Sequence, residues 1–376
     1  MVEKLGVRYA SLLAAGVLAF GGLAACGDDD DGGGNGSSGE SGSGSAEGKI
    51  GVILPDTTTS PRWEANDRPS LEKAFKAAGV DYDIQNANGD VDKFGTLCDN
   101  MITEGVTVLM IVNLDSESGS ACLSKAADAG VQSIDYDRLT LGGGASYYVS
   151  FDNVEVGSLM GQGLQTCLED ENKTKANIIY INGDPNDNNA ALFKQGYESA
   201  LKQKIESGDY TLVGDQSGFW DATKAGTAFE QLYTQNKGKI DGVVSANDTM
   251  AGGIIARMQA QGVAGQIPVT GQDASVEGLQ NILQGLQCGT VYKNTDLEAK
   301  AASDLAIALT KGEDTDSMVN GTVPDTETGE DVPSALATPV WITMDNINQP
   351  FDDGFAKASD VCTGKVAQAC TKAGIS

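Results

Sequence analysis

The chain has no histidine in 376 residues, which removes the commonest general base and the commonest zinc ligand. Basic residues are scarce too: 25 Lys and Arg stand against 53 Asp and Glu, a formal charge of -28. So acidic a surface repels phosphate backbones and excludes nucleic acid as a partner. No CxxC pair is present for redox or zinc chemistry, and neither GxSxG nor a P-loop occurs. Hydrolase, metalloenzyme and nucleotide-driven classes weaken together. Long apolar runs are also missing, apart from one at the start of the chain.

That run, residues 9–23, follows Lys4 and Arg8 and ends in Leu23-Ala24-Ala25-Cys26-Gly27. A basic start, a short apolar stretch and a small-residue box before cysteine read as a lipoprotein signal peptide. Residues 1–25 are then removed, Cys26 carries the lipid, and the mature chain sits outside the cell membrane, held to its outer face. Residues 26–48 are almost wholly Gly, Ser, Asp and Glu after the cysteine, a composition that buries nothing and serves as a tether. The four aspartates from Asp28 to Asp31 are a solvated charge run with no assigned site.

The chain beyond the tether is longer than one core usually holds, so two lobes are expected. Setting Cys26 aside leaves six cysteines, Cys98, Cys122, Cys167, Cys288, Cys362 and Cys370, an even number that suits disulfides in an exported protein. Six allow 15 connectivities. Placement on successive helices favours Cys98 with Cys122, proximity favours Cys362 with Cys370, and Cys167 with Cys288 remains.

Short apolar runs alternate with amphipathic segments, the pattern of a parallel α/β fold. Strands are expected at 49–54, 82–86, 107–112, 132–135, 147–151, 176–182, 210–214, 242–246, 269–271 and 289–293. Several are apolar throughout, as strands covered on both faces are. Ligands of such sheets sit beyond the carboxyl ends of the strands, and the residues there are polar. They are Arg62-Trp63, Asp137-Arg138, Asp152-Asn153, Asp187-Asn188-Asn189, Trp220-Asp221, Asn247-Asp248, Asp273 and Lys293. Carboxylates, amides and guanidinium groups make paired hydrogen bonds to neighbouring hydroxyls, and tryptophans cover apolar C–H faces. The combination suits a sugar. Each residue also has a plainer reading: Asn153, Asn247 and Asp248 as helix caps, Trp63 and Trp220 as core, Arg138 as one half of an ion pair. Asp184, Asn186 and Asn188 alternate like the start of a calcium loop, but the required glycine is missing and Gln195 stands where a bidentate Glu belongs. No metal, cofactor or catalytic residue is assigned.

Seven ordered blocks resemble the type 1 periplasmic binding proteins, and among them the D-xylose-binding branch. They are Ile134-Asp135-Tyr136-Asp137-Arg138, Tyr148-Val149-Ser150-Phe151-Asp152-Asn153, Asp187-Asn188-Asn189-Ala190, Val213-Gly214-Asp215-Gln216, Ser245-Ala246-Asn247-Asp248, Gly271-Gln272-Asp273-Ala274 and Thr290-Val291-Tyr292-Lys293. The resemblance implies two Rossmann-like lobes with parallel sheets, joined by a three-strand hinge and closing on one sugar. It divides the chain into 49–139 plus 294–335 for the first lobe and 140–293 plus 336–376 for the second. Arg62, Trp63, Asp137 and Arg138 would face Asp187, Asn189, Trp220, Asn247 and Asp273, with Lys293 near a hinge crossing. The residues at 360–376 and the six cysteines have no counterpart in the pattern.

The implied role is an extracytoplasmic, monomeric solute-binding protein that takes a monosaccharide, D-xylose or a related aldose such as glucose, to an ABC importer permease. The alternative is a sugar sensor that presents its closed form to a chemoreceptor or sensor kinase. A sugar-cleaving enzyme using Asp137 and Asp187 as a carboxylate pair is disfavoured, and a regulator of the same fold would need a DNA-binding motif where the leader and tether stand.

Overall fold

A computed structural model describes residues 48–375. The leader at 1–25, Cys26 and the tether up to residue 47 lie outside the described residues.

The first sheet gathers β1 (Lys49–Leu54), β2 (Asp81–Asn86), β3 (Val108–Ile111), β4 (Gln132–Tyr136), β5 (Tyr147–Phe151), β10 (Gly321–Pro324) and β11 (Asp331–Ala337). Their order is β10-β11-β5-β4-β3-β1-β2, all parallel except the β10–β11 pair. The alternation of side chains along a strand feeds two cores. Ile50, Val52 and Leu54 of β1, with Val108 and Met110 of β3, pack under α1 (Arg68–Ala78) and α9 (Thr295–Lys311). Ile53, Leu109 and Ile111 point the other way, onto α2 (Val91–Thr103) and α3 (Ser116–Asp128). Both faces are covered, which is why these strands are apolar without interruption.

The second sheet has β6 (Ala176–Asn182) between β7 (Tyr210–Ser217) and β8 (Gly242–Ser245), parallel throughout. Its core takes in α4 (Asn153–Asp170), α5 (Asn188–Glu206), α6 (Ala222–Gln235) and α7 (Asp248–Gln261). Helices α4 and α5 cross so closely that a Cβ on Gly157 would lie 2.0 Å from the Phe193 carbonyl oxygen, and one on Gly196 would lie 2.1 Å from that of Val154. Beyond them α8 (Val276–Leu283), β9 (Thr290–Tyr292) and its antiparallel partner β12 (Val340–Ile342) complete this side. Short helices α10 (Gln349–Asp352), α11 (Ala358–Val361) and α12 (Ala367–Ala373) form a small core with α8 and Tyr292.

Strand β5 hydrogen-bonds to β4 and β11 inside the first sheet, so a lobe boundary at residues 139/140 is too early. The chain passes to the second sheet only after Phe151, returns after Lys293, and passes over again between β11 and β12. The apolar alternation of 147–151 marked it as a strand without saying which sheet it joins. Segment 269–271 contributes one isolated bridge, Val243 to Val269, and no full strand. Strands β10, β11 and β12 had no expectation, because their runs are short and mixed in polarity. Disulfides join Cys98 to Cys122, Cys167 to Cys288 and Cys362 to Cys370. Among the described residues no helix is long and apolar enough to cross a membrane, and no cluster of Asp, Glu, Cys or His could hold a metal.

Candidate functional site

All ten expected residues line one cleft between the carboxyl ends of the two sheets: Arg62, Trp63, Asp137, Arg138, Asp187, Asn189, Trp220, Asn247, Asp273 and Lys293. Each is buried, 2 to 7% exposed, and the walls lie so close together that the cavity left between them is only about 30 Å³.

The first wall grows from the ends of β1 and β4. After β1 a π-helical turn, Trp63–Asp67, leads into α1 and brings Asp67 under Arg62. Arg62 donates from Nε and Nη2 to Asp67 at 2.9 and 2.7 Å, from Nη1 to Asp137 at 2.7 Å, and from Nη2 also to Glu298. Tyr136 donates its hydroxyl proton to Asp67. Burial raises the Asp67 carboxyl against the pull of Arg62. At Asp137 burial acts in the same sense, but Lys293, Arg62 and Arg138 together hold it below the usual range, as an anion. Trp63 lies flat under the cations: the Arg62 guanidinium carbon is 4.5 Å and that of Arg138 5.6 Å from its ring centre.

Asp137 turns out of β4 with φ of 64°, a left-handed conformation that a non-glycine residue keeps only when its surroundings enforce it. Its carbonyl receives Tyr148 Oη and Ser150 Oγ, both at 2.9 Å, and Asn189 Nδ2 at 3.0 Å. The strain is held by three donors converging on one oxygen.

The second wall is built from helix starts. Asp187 caps α5 by accepting from Asn189 N–H at 2.9 Å, and Asn247 caps α7 by accepting from Met250 N–H at 2.9 Å. Each residue keeps another polar atom for the cleft. Asp187 accepts from Trp220 Nε1 at 3.2 Å, and burial raises its carboxyl against the pull of Arg138. Trp220, with φ of 55°, stands edge-on to Phe193, and a Cβ on Gly183 would fall 2.0 Å from its ring. Asp273 has φ of 102°.

Contacts join the walls. Ser60 Oγ donates to Asp273 at 3.1 Å, Asn247 Nδ2 to the Thr59 carbonyl at 3.3 Å, and Asn189 Nδ2 to the Asp137 carboxylate at 3.2 Å. Lys293 Nζ lies 3.5 Å from Asp137 and 3.8 Å from Asp273. Arg138 Nε is 2.9 Å from Asp187 but misaligned for a hydrogen bond, and Gln272 Oε1 has no partner. The plainer readings are therefore partly true: Asn247 is a cap, Arg138 is half of an ion pair, and both still line the cleft. Asn153 is not the cap of α4, which is Asp152. Its amide donates to Tyr148 and Asn189 behind the wall.

Sequence reasoning missed Thr59, Ser60, Phe193 and Gln272 along the lining. Phe193 follows Asn189 by one helical turn, so helix period could have found it. Gln272 adjoins Asp273. Asp67 and Glu298 sit behind Arg62 with no local signal, since each reads as an ordinary acidic residue near a helix start.

The sequence matches the periplasmic binding protein domain family over residues 50–314. It is 34% identical over 319 residues to the D-xylose-binding periplasmic protein of Escherichia coli strain K12, covering 84% of this chain and 93% of that one. It is 33% identical over 335 residues to a multiple sugar-binding periplasmic receptor of Rhizobium radiobacter, covering 84% and 92%. Among solved structures, a carbohydrate transporter solute binding protein from Chloroflexus aurantiacus in complex with D-glucose superposes with TM-score 0.75 at 27% identity, over 83% of this chain and 97% of that chain. An ABC transporter solute binding protein from Clostridium phytofermentans with bound β-D-glucose gives TM-score 0.75 at 28% identity, over 83% and 99%. Two mainly parallel sheets linked by three crossings, with a polar cleft between their carboxyl ends and these matches along most of its length, place the chain in the periplasmic binding protein family, with the type 1 fold.

Proposed function

We propose that this chain is an extracytoplasmic solute-binding protein of an ABC importer that captures a neutral monosaccharide, D-xylose or a related aldose such as glucose, between its two walls. The observation that carries this reading is the charge balance of the lining. Arg62, Arg138 and Lys293 face Asp137, Asp187 and Asp273, three cations against three carboxylates. A phosphate ester would bring net charge and leave a buried ion unmatched, and an amino acid zwitterion would bring two separated ions to a lining whose ions are already paired with one another, whereas a polyhydroxylated ring takes up donors and acceptors in pairs. The unpaired Arg138 Nε–H and Gln272 Oε1 are suited to a hydroxyl that can both accept and donate. Trp63 and Trp220 supply flat apolar surface. The ten residues hold and orient, and the affinity comes from them without any bond being made or broken. The solute-binding relatives named above support the importer context, and the box at Cys26 supports a lipid anchor on the outer face of the cell membrane.

A thermal-shift screen against aldopentoses, aldohexoses, amino acids and furanoses tests the reading, because a ligand that binds only the folded state raises Tm. A rise with D-xylose or D-glucose that is lost in Arg138→Ala supports it. A response confined to amino acids or phosphorylated compounds contradicts it. For the anchor, labelled fatty acid is expected in the wild-type chain and absent from Cys26→Ala.

A further inference from the structure

Behind the balanced lining lies an imbalance. Asp67 and Glu298 are both fully buried and both bonded to Arg62, which already serves Asp137. The lining's three cations then meet five carboxylates. Two carboxylates are in excess, and an unmatched ion away from water costs several kcal/mol even after relaxation, so at least one proton belongs in the cluster. Its place follows from counting partners. Asp67 takes two Arg62 nitrogens and the Tyr136 hydroxyl. Asp137 takes Arg62, Lys293 and Asn189. Glu298 takes one Arg62 nitrogen on Oε2, and its buried Oε1 has no partner. It is the least compensated of the three.

Glu298 also occupies a distinctive place. It lies in the first turns of α9, five residues after Lys293, where the chain re-enters the first lobe from the second. The charged and titratable groups around it are Arg62 and Asp67 from the turn before α1, Tyr136 and Asp137 from β4, Tyr148 from β5, and Lys293 beyond β9.

We propose that Glu298 is a positioning residue that, as a neutral acid, holds Arg62 toward the cleft and makes sugar capture weaken as the solution becomes alkaline. Burial, reinforced by Asp137 and Asp67, lifts its carboxyl to about 8 in spite of Arg62. A sugar in the cleft replaces the water beside Arg62 and Asp137, and with less screening the burial and the Asp137 and Asp67 charges that raise the Glu298 carboxyl act more strongly, so ligand-bound protein grips this proton more tightly than free protein. By reciprocity the sugar then binds more tightly to the protonated form. Affinity is highest at acidic pH, falls as pH rises through about 8, the value in the ligand-free protein, and levels off only about one pH unit higher.

This inference rests on the sugar-binding reading, and the test separates the two. Calorimetric titration of the purified protein with D-xylose and D-glucose from about pH 5.5 to about 10 is expected to show affinity falling about tenfold, the factor that follows if the bound form holds the proton tenfold more tightly. Glu298→Gln, which keeps the shape and the neutral charge, is expected to bind as wild type does at pH 5.5 and to lose the slope. Wild-type affinity that is flat across this range, or a Glu298→Gln variant with the same slope, overturns the proposal. Ligand-free protein gives a second readout. A folded-state acid raised above its unfolded value of 4.5 is stabilising below that value and loses this contribution as pH rises to about 8. The Tm of wild type should therefore fall relative to Glu298→Gln between pH 5 and 8. If neither sugar binds, the functional reading fails while this Tm difference still decides the proton: a difference independent of pH rejects it.

Discussion

On one wall of the cleft Arg62 commits all three guanidinium nitrogens to Asp67, Asp137 and Glu298, whereas on the other Asp187 and Asn247 are held by the backbone N–H groups of the helices they cap. The first arrangement is a buried side-chain network in which every member depends on the others. The second borrows order from α5 and α7, whose packing in the second core exists regardless of the cleft. A network fixes direction closely and fails as a unit. A cap can lose its outward contact and leave the fold nearly intact. The wall made of ions should therefore answer to mutation in stability, and the wall made of caps in affinity.

The largest effect should come from Arg62→Ala, which removes the shared partner of three buried acids, Asp67, Asp137 and Glu298. A loss of about 3 to 5 kcal/mol is expected, read by urea unfolding, and a loss under 1 kcal/mol would deny that the first wall is a unit. Next is Asp273→Gly. Asp273 sits at φ of 102°, where glycine is at ease, so stability should hold or rise while sugar affinity drops about tenfold or more, about 1.4 kcal/mol. Parallel losses of both would erase the contrast. Gly183→Ala drives a methyl into the Trp220 ring, which is buried in the second core, and should weaken binding severalfold while costing about 1 to 3 kcal/mol of stability. The smallest effect belongs to Asn247→Ala, which gives up a cap worth about 1 kcal/mol together with its bond to Thr59 across the cleft. Its affinity loss should exceed its stability loss.

The cap wall was the more legible in sequence, and the reason is physical. Polar residues that end a strand and start a helix are visible as local steps in polarity, so Asp187, Asn189, Asn247 and Asp273 stood out even though two of the four are also caps. Arg62 and Asp137 stood out in the same way. Glu298 did not, because it comes to Arg62 across 236 residues and nothing near it in the chain announces a buried partner. The same division runs through the fold. Strands such as β1 and β3, apolar on both faces, could be read directly, while β11, which pairs in parallel with β5 at a distance in sequence, could not, and the lobe boundary was misplaced with it. Local pattern reports which element forms, but long-range pairing decides which sheet it joins.

The most direct test is a crystal structure of the protein with the sugar that gives the largest rise in Tm. The account predicts one monosaccharide between Trp63 and Trp220, with Arg138 and Gln272 bonded to its hydroxyls and Arg62 still clamped by Asp67 and Glu298. A sugar bound elsewhere, or an Arg62 swung away from those carboxylates to reach the ligand, would contradict it.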